Sequence, residues 1–158
     1  MPTFNETLIE AGFDLRDIRL LRHTDQREQV GTEPTPSPYE LWCDQPEQWD
    51  RYNETHGLRY AHLENWRYWA SFLATPGGET MFVGIYEVHG RRPLEQRAWM
   101  PGRGFWAEAG TRDLYTLTLD GRLRDLIGRL YIDWGDGQQR VWAQRADRQD
   151  KRITRIAE

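Results

Sequence analysis

Two apolar runs of β character at the centre of the sequence constrain the fold more than any other feature. Tyr68–Thr75 and Thr80–His89 are rich in aromatic and aliphatic residues and are separated by Pro76-Gly77-Gly78-Glu79. Proline and glycine between two such runs are typical of a turn that joins antiparallel strands. The sequence therefore predicts a β-hairpin over residues 68–89.

The segments on either side of this hairpin are shorter and more irregular. Residues 1–60 combine short helical patterns with a proline-rich loop at Gly31–Pro38. Residues 90–112 contain five arginines and follow neither a helical nor a strand period, so they predict a long loop. Residues 113–155 predict further strands and a basic tail.

Within the C-terminal part, residues 129–134 and 139–144 flank Gly135-Asp136-Gly137 and predict a second hairpin. Strands and helices do not alternate regularly along the chain, which argues against a parallel α/β fold. We therefore predict a single α+β domain over residues 1–158. It would be a small, curled, mostly antiparallel or mixed β-barrel with two or three helices packed on it.

Aromatic residues and the single cysteine limit the classes of protein to which the chain can belong. Eight tryptophans, seven tyrosines and five phenylalanines provide apolar area for a core that has few aliphatic residues. No apolar run approaches the ~18 residues of a membrane span, so no membrane partner is expected. Met1–Glu10 has no secretory signal pattern, and the one cysteine, Cys43, fits a reducing compartment. We expect a cytoplasmic protein.

Charge is distributed unevenly along the chain. The net charge of −4 combines −8 over residues 1–88 with +4 over residues 89–158. A cluster of basic side chains near the C-terminus could contact phosphate groups, or it could be an ordinary solvated face in which Asp147 and Asp150 pair with the arginines. The candidate phosphate-binding residues are Arg140, Arg145, Arg148, Lys151 and Arg152.

Two resemblances to known families rest on short strings of sequence. The core strands, with YWASF and VGIYEV, resemble those of PUA-like domains, particularly the EVE and YTH branches. Nearly the whole chain is similar to the N-terminal domain of bacterial proteins whose C-terminal half is a GIY-YIG nuclease. The strings that carry this second resemblance are RHTDQR (22–27), SPYELW (37–42), YWASF (68–72), GETMFVGIYEV (78–88), LIGRLYIDWG (126–135) and WAQRADRQDKRIT (142–154).

The resemblances imply a recognition domain rather than an enzyme. They imply binding to nucleic acid, DNA rather than RNA, with a modified or flipped base marking the target of a linked nuclease, as in restriction. Nuclease activity would then belong to a C-terminal domain beyond residue 158. For this domain alone we expect no catalytic residues, no metal and no cofactor.

A base taken out of a duplex must be held by aromatic faces and read by polar groups at its edge. Tryptophan and tyrosine provide both the faces and hydrogen-bonding atoms, although a tryptophan in a strand is also a common core residue. The predicted base-binding cage consists of Tyr39, Trp42, Trp69, Trp134 and Trp142, with Ser71 and Gln144 as edge readers.

Two alternative functions of other classes stay open. His23 and Asp25 have the H-x-D spacing that places both side chains on one face of a strand, which suits a metal-dependent phosphodiesterase. A protein-interaction module would instead use exposed aromatic residues and the segment 90–112.

Overall fold

The structure is a computed structural model and describes residues 2–24, 35–58, 60–135 and 142–158. The α-helices are α1 (Phe4–Glu10), α2 (Pro38–Asp44) and α3 (Pro46–Glu54). The strands are β1 (Ile18–His23), β2 (Thr55–Gly57), β3 (Tyr68–Ala74), β4 (Thr80–Pro93), β5 (Ala98–Met100), β6 (Phe105–Ala107), β7 (Arg112–Asp120), β8 (Leu130–Ile132), β9 (Ala143–Arg145) and β10 (Ile153–Ile156).

These elements confirm the α+β class and the curled, mixed sheet that the sequence predicts. No helix in the described ranges is long and apolar enough to cross a membrane. The chain divides into two compact units that alternate along the sequence, and the prediction of one domain over residues 1–158 remains a prediction. The first unit is Met1–His23, Asn65–Val88 and Thr118–Glu158, and the second is Thr24–Glu64 and His89–Leu117.

The sheet of the first unit has the strand order β10-β8-β4-β3-β1-β9. β1 and β3 are parallel, and the other neighbours along this order are antiparallel. The turn and half of the second strand of the hairpin predicted between residues 129–134 and 139–144 lie outside the described residues. Its described parts pair with other strands, because β9 pairs with β1, and β8 pairs with β4 and β10. Segments that are close in sequence can pair with distant strands, because burial in the core decides the pairing.

The predicted central hairpin is confirmed as β3 paired with β4. A bulge follows Ser71, because Ser71 lies opposite Gly84 whereas Phe72 lies opposite Phe82. Gly84 has a φ of 137°, and a Cβ atom there would lie 2.8 Å from Cδ1 of Leu119. Glycine is therefore needed at this point, where the extra residue bends the strand.

Aromatic side chains fill the core of the first unit. The Phe72 ring lies 5.1 Å from that of Phe4, 5.6 Å from that of Phe82 and 5.8 Å from that of Trp134 (centroid to centroid). Phe4 comes from α1, which begins with a capping box between Thr3 and Glu6. Aromatic rings thus share the core with leucine and isoleucine side chains.

The second unit contains α2, α3, the β2–β7 pair and the β5–β6 hairpin. Pro38 and Pro46 each stand in the first turn of a helix, where the missing N–H costs no hydrogen bond. Residues 90–112 are not the predicted long loop, because they contain the end of β4, both strands of the β5–β6 hairpin and the start of β7. Leu94, Met100 and Ala107 form a small core there, and strands of three residues are too short to show a period.

Candidate functional site

Several of the predicted cage residues are buried, and Trp134 among them belongs to the aromatic core of the first unit. Trp69 and Ser71 on β3 are 0 % exposed, and Trp134 is 3 % exposed. Gln144 on β9 is also buried. A base cannot stack on a ring that presents no surface, so Trp69 does not hold a base in this conformation. Ser71 is equally buried and cannot reach the edge of a base.

The remaining cage residues are half-buried and belong to different units. Tyr39 and Trp42 lie on α2 in the second unit. Trp142 precedes β9 in the first unit, with its ring 6.0 Å from that of His23. A single cage made by residues of both units stays a prediction.

The alternative site at His23 and Asp25 is described only in part. His23 is buried at the end of β1 beside Trp142, whereas Asp25 lies outside the described residues. Within the described ranges, no group of three or more His, Cys, Asp or Glu side chains could hold a metal ion. The metal-dependent phosphodiesterase therefore stays a prediction.

The predicted phosphate-binding residues of the basic tail differ in their exposure to solvent. Arg148 and Arg152 are exposed, and Arg152 contacts Asp133 at 3.5 Å. Lys151 is only 3 % exposed and donates a hydrogen bond to the carbonyl oxygen of Trp134, so it is a buried structural residue and not a phosphate ligand. Arg140 lies outside the described residues.

A pair of arginines on neighbouring strands forms the most unusual cationic feature of the first unit. Arg19 on β1 lies directly opposite Arg145 on β9. The two guanidinium carbons lie 5.3 Å and 5.5 Å from the ring centroid of the same half-buried Trp66. We call these three residues the arginine–tryptophan site.

Like charges directly opposite each other destabilise a sheet unless an anion or an aromatic face compensates them. Burial, and then the charge of Arg145, lower the pKa of Arg19. Nη2 of Arg19 donates to the carbonyl oxygen of Ala143 at 3.3 Å, while its buried Nε has no hydrogen-bond partner among the described residues. This N–H is therefore a buried donor whose hydrogen bond is not made within the described residues.

Arg145 has a partner within the chain. Its Nε and Nη2 donate to the two carboxylate oxygens of Asp147 at 3.0 Å and 2.8 Å. This hydrogen-bonded pair lowers the pKa of Asp147 and raises that of Arg145. Asp147 therefore occupies the paired donors of Arg145 that a phosphate group would otherwise use.

The arrangement at this site can bind a phosphate group. Two guanidinium groups beside one tryptophan form a cationic surface, and arginine matches phosphate oxygens with paired donors. The exposed Arg148 follows on the same segment and extends the positive surface. Sequence reasoning identified Arg145 and Arg148 but missed Arg19 and Trp66; the one local signal was a charged residue inside the apolar run Ile18–Leu21.

A cleft of about 350 Å³ also lies in the first unit, beside Trp134. Its lining includes Glu79 and Asp133, and both carboxylates pair with arginines of the C-terminal segment. Glu79 binds Arg155 at 2.7 Å and 2.8 Å through both carboxylate oxygens. The lining also includes Arg22, whose guanidinium carbon lies 6.0 Å from the centroid of the Trp134 ring.

A polar cluster in the second unit surrounds the buried Tyr115 and has a structural role. The ring centroid of Tyr115 lies 5.9 Å from that of His56, and the Tyr115 hydroxyl donates to Glu64 at 3.5 Å. Arg91 donates to Asp113 at 2.7 Å. Burial, followed by the charges of Glu64 and Asp113, raises the pKa of Tyr115 far above its usual range. The phenol therefore stays protonated and serves as a hydrogen-bond donor.

No protein-family model matches this chain, and neither a curated protein nor a solved structure is similar to it at a significant level. The likeness to PUA-like domains and to GIY-YIG-associated proteins thus rests on the sequence strings. The arginine–tryptophan site is interpreted from its own geometry.

Proposed function

We propose that this chain is a nucleic-acid-binding domain that contacts DNA phosphates through the arginine–tryptophan site. The observation that carries the proposal is the opposition of Arg19 and Arg145 over one ring, Trp66. Contacts to phosphate fix the position of a protein on nucleic acid without reading sequence. The domain itself would carry no catalytic activity.

A finer proposal concerns what the domain reads. The resemblance to PUA-like domains and to nuclease-associated N-terminal domains favours recognition of a modified or flipped base, which would direct a linked GIY-YIG nuclease to its target. With Trp69 closed in the core, the aromatic residues that support this proposal are the half-buried Tyr39, Trp42 and Trp142.

The first test removes each charge but keeps the apolar stem of the side chain. Arg19→Met and Arg145→Met are each expected to weaken binding of a duplex by about tenfold at low salt, because each removes one phosphate contact. The slope of log affinity against log salt concentration should fall by about one for each variant. Fluorescence anisotropy at several salt concentrations measures both quantities.

Arg155→Met is the matched control. Arg155 is an exposed arginine on β10, at the opposite edge of the first unit's sheet from β9, and it is also paired with a carboxylate. An equal loss of affinity in this control would mean that only net charge matters. Binding that does not depend on salt, in any of these proteins, would overturn the proposal.

Asp147 competes with phosphate for Arg145 in this proposal. Asp147→Asn is therefore expected to strengthen duplex binding by roughly threefold, since an exposed ion pair of this kind is worth well under about 1 kcal/mol. Asp120→Asn is the control, because Asp120 binds Arg122 with the same spacing and through both oxygens. Anisotropy titration compares the two; an equal gain in both would indicate a general charge effect and contradict the competition.

The finer proposal has its own measurement. Matched duplexes that differ only in the modification of one cytosine or one adenine are titrated under the same conditions. A clear preference for one modified duplex would support base recognition. Uniform, salt-dependent binding to all of them would contradict base recognition and leave the phosphate site in place.

A further inference from the structure

The cleft of the first unit beside Trp134 lies at one end of three neighbouring antiparallel strands. Thr80 begins β4 and pairs with Ile132, the last residue of β8, and Ile132 pairs with Ile153, which begins β10. The volume of about 350 Å³ is at the lower end of the range of roughly 300–1,000 Å³ that is typical of small-molecule sites. The cleft can therefore accommodate one small molecule.

Backbone hydrogen bonds hold the walls of the cleft in place. The N–H of Arg22, near the end of β1, donates to the carbonyl oxygen of Trp142 at 2.8 Å. The N–H of Asp133 donates to the carbonyl oxygen of Arg152 at 2.9 Å, and the N–H of Gly135 donates to Oδ1 of Asp133 at 3.1 Å. The walls are thus preorganised, which lowers the entropic cost of binding a ligand.

Two cations approach the buried ring of Trp134 beside this cleft. The guanidinium carbon of Arg22, which lines the cleft, lies 6.0 Å from the ring centroid, and the ammonium nitrogen of Lys151 lies 4.5 Å from it. Burial lowers the pKa of Lys151, Asp133 opposes this change, and Arg22 adds to it. The two cations therefore repel each other, and an anion in the cleft would reduce that repulsion.

The two carboxylates of the cleft lining are already paired with arginines. Both oxygens of Glu79 accept from Arg155, at 2.7 Å and 2.8 Å, and this pairing lowers the pKa of Glu79. Oδ2 of Asp133 lies 3.5 Å from Nη2 of Arg152. The described lining and the side chains that contact it thus include four cations and two carboxylates, which are Arg22, Lys151, Arg152, Arg155, Glu79 and Asp133. Their sum is positive, so the cleft favours an anion over a cation.

We propose that this cleft binds the phosphate group of a molecule of about the size of a mononucleotide, with Arg22 as the contact to the phosphate oxygens. Arginine presents paired donors that match phosphate, and Thr80 and Thr154 bring hydroxyl groups to the same lining. A phosphate monoester carries about −1.5 to −2 charges near pH 7, which compensates two cations better than a single carboxylate does.

The proposed cleft ligand goes beyond the proposed function and does not depend on it, because neither Arg19 nor Arg145 lines the cleft. A phosphate inside a strand is a diester with a single charge, so it suits the cleft less well than a monoester. A free nucleotide and the 5′-terminal phosphate of a strand present the same monoester, and the experiment includes both.

Isothermal titration calorimetry of the full chain with dTMP, and with thymidine, which lacks the phosphate, measures the binding. The chain is expected to bind dTMP at least about tenfold more tightly than thymidine, and Arg22→Met should weaken binding of dTMP by about tenfold or more, because hydrogen bonds to a charged group are lost. Thr154→Trp fills the cleft from an exposed position on β10 and should abolish binding of dTMP. Thermal unfolding verifies that both variants are folded.

Arg16→Met is the matched control, because Arg16 is an exposed arginine of the same unit that is paired with Asp14 and does not line the cleft. Equal weakening by Arg16→Met, binding of thymidine as tight as that of dTMP, or unchanged binding of dTMP by Thr154→Trp would each overturn the inference. Equally tight binding of citrate would indicate a general anion site and overturn it too.

The source of the phosphate is tested with oligo-dT that carries either a 5′-phosphate or a 5′-hydroxyl group. Tighter binding of the phosphorylated strand, lost in Arg22→Met, would support the end of a strand as the ligand. Equal binding of the two strands together with tight binding of dTMP would support a free nucleotide. If neither dTMP nor the 5′-phosphate improves binding, the inference is wrong.

Discussion

Trp69→Ala is expected to lower the free energy of unfolding of the first unit by about 3–5 kcal/mol, as large-to-small substitutions of buried aromatic residues do. Trp69 is completely buried on β3, the strand between β4 and the parallel β1. Removing the indole leaves a cavity that the surrounding strands cannot close without breaking their pairing. Since small domains have about 5–15 kcal/mol in total, much of the stability would be lost.

Urea denaturation followed by circular dichroism measures this loss. Trp106→Ala is the control, because the same side chain is removed from a position that is 52 % exposed, and it should change stability far less. Trp69→Phe, which leaves a smaller cavity, should fall between the two. A stable Trp69→Ala protein that binds all duplexes alike, where the parent protein prefers a modified one, would restore Trp69 to the cage.

Lys151→Ala is expected to destabilise the chain by about 2–4 kcal/mol without weakening nucleic-acid binding. The buried ammonium group donates to the carbonyl oxygen of Trp134 and lies 4.5 Å from the centroid of its ring. Alanine removes both contacts and leaves that carbonyl without this donor. Lys151→Met restores the apolar volume and should lower the free energy of unfolding less than Lys151→Ala does. Urea denaturation and duplex titration of the same samples separate stability from binding.

The stability of the parent protein should also depend on pH through this lysine. Burial lowers the pKa of Lys151, an effect that Arg22 increases and Asp133 opposes. Between this lowered pKa and the ordinary value near 10.4, the unfolded chain binds more protons than the folded chain. The free energy of unfolding contributed by Lys151 therefore rises with pH in that range, and Lys151→Met should lack the rise.

Arg148→Ala is the control for the lysine variants. Arg148 is exposed in the same segment, so its replacement should leave stability within about 0.5 kcal/mol and weaken duplex binding instead. If Lys151→Ala behaves in the same way as Arg148→Ala, Lys151 is a phosphate contact, as the sequence predicts, and the buried role is wrong. The predicted pH dependence of stability is measured with denaturation curves collected from pH 7 to pH 9.5. This range stays below the pH at which exposed tyrosines ionise.

Local patterns predicted the parts of the structure that form between near neighbours in sequence. The β3–β4 hairpin follows from two apolar runs around Pro76–Glu79, and the α+β class follows from mixed patterns without regular alternation. The basic segment around Arg145 and Arg148 was also visible from sequence. Turn chemistry and side-chain periodicity act over a few residues, so one sequence is sufficient to detect them.

Tertiary structure decided which of these residues share a surface. Arg19 and Arg145 are far apart in sequence and meet only because β9 pairs with β1, a pairing that no local pattern specifies. Burial likewise separates Trp69 and Lys151, which lie in the core, from Trp106, which is exposed. Strand register and burial depend on the packing of the whole chain, and a shift of one residue reverses the faces of a strand. The sequence by itself therefore determined which residue types the chain offers, and the tertiary structure decided which of them lie together on one surface and which are buried.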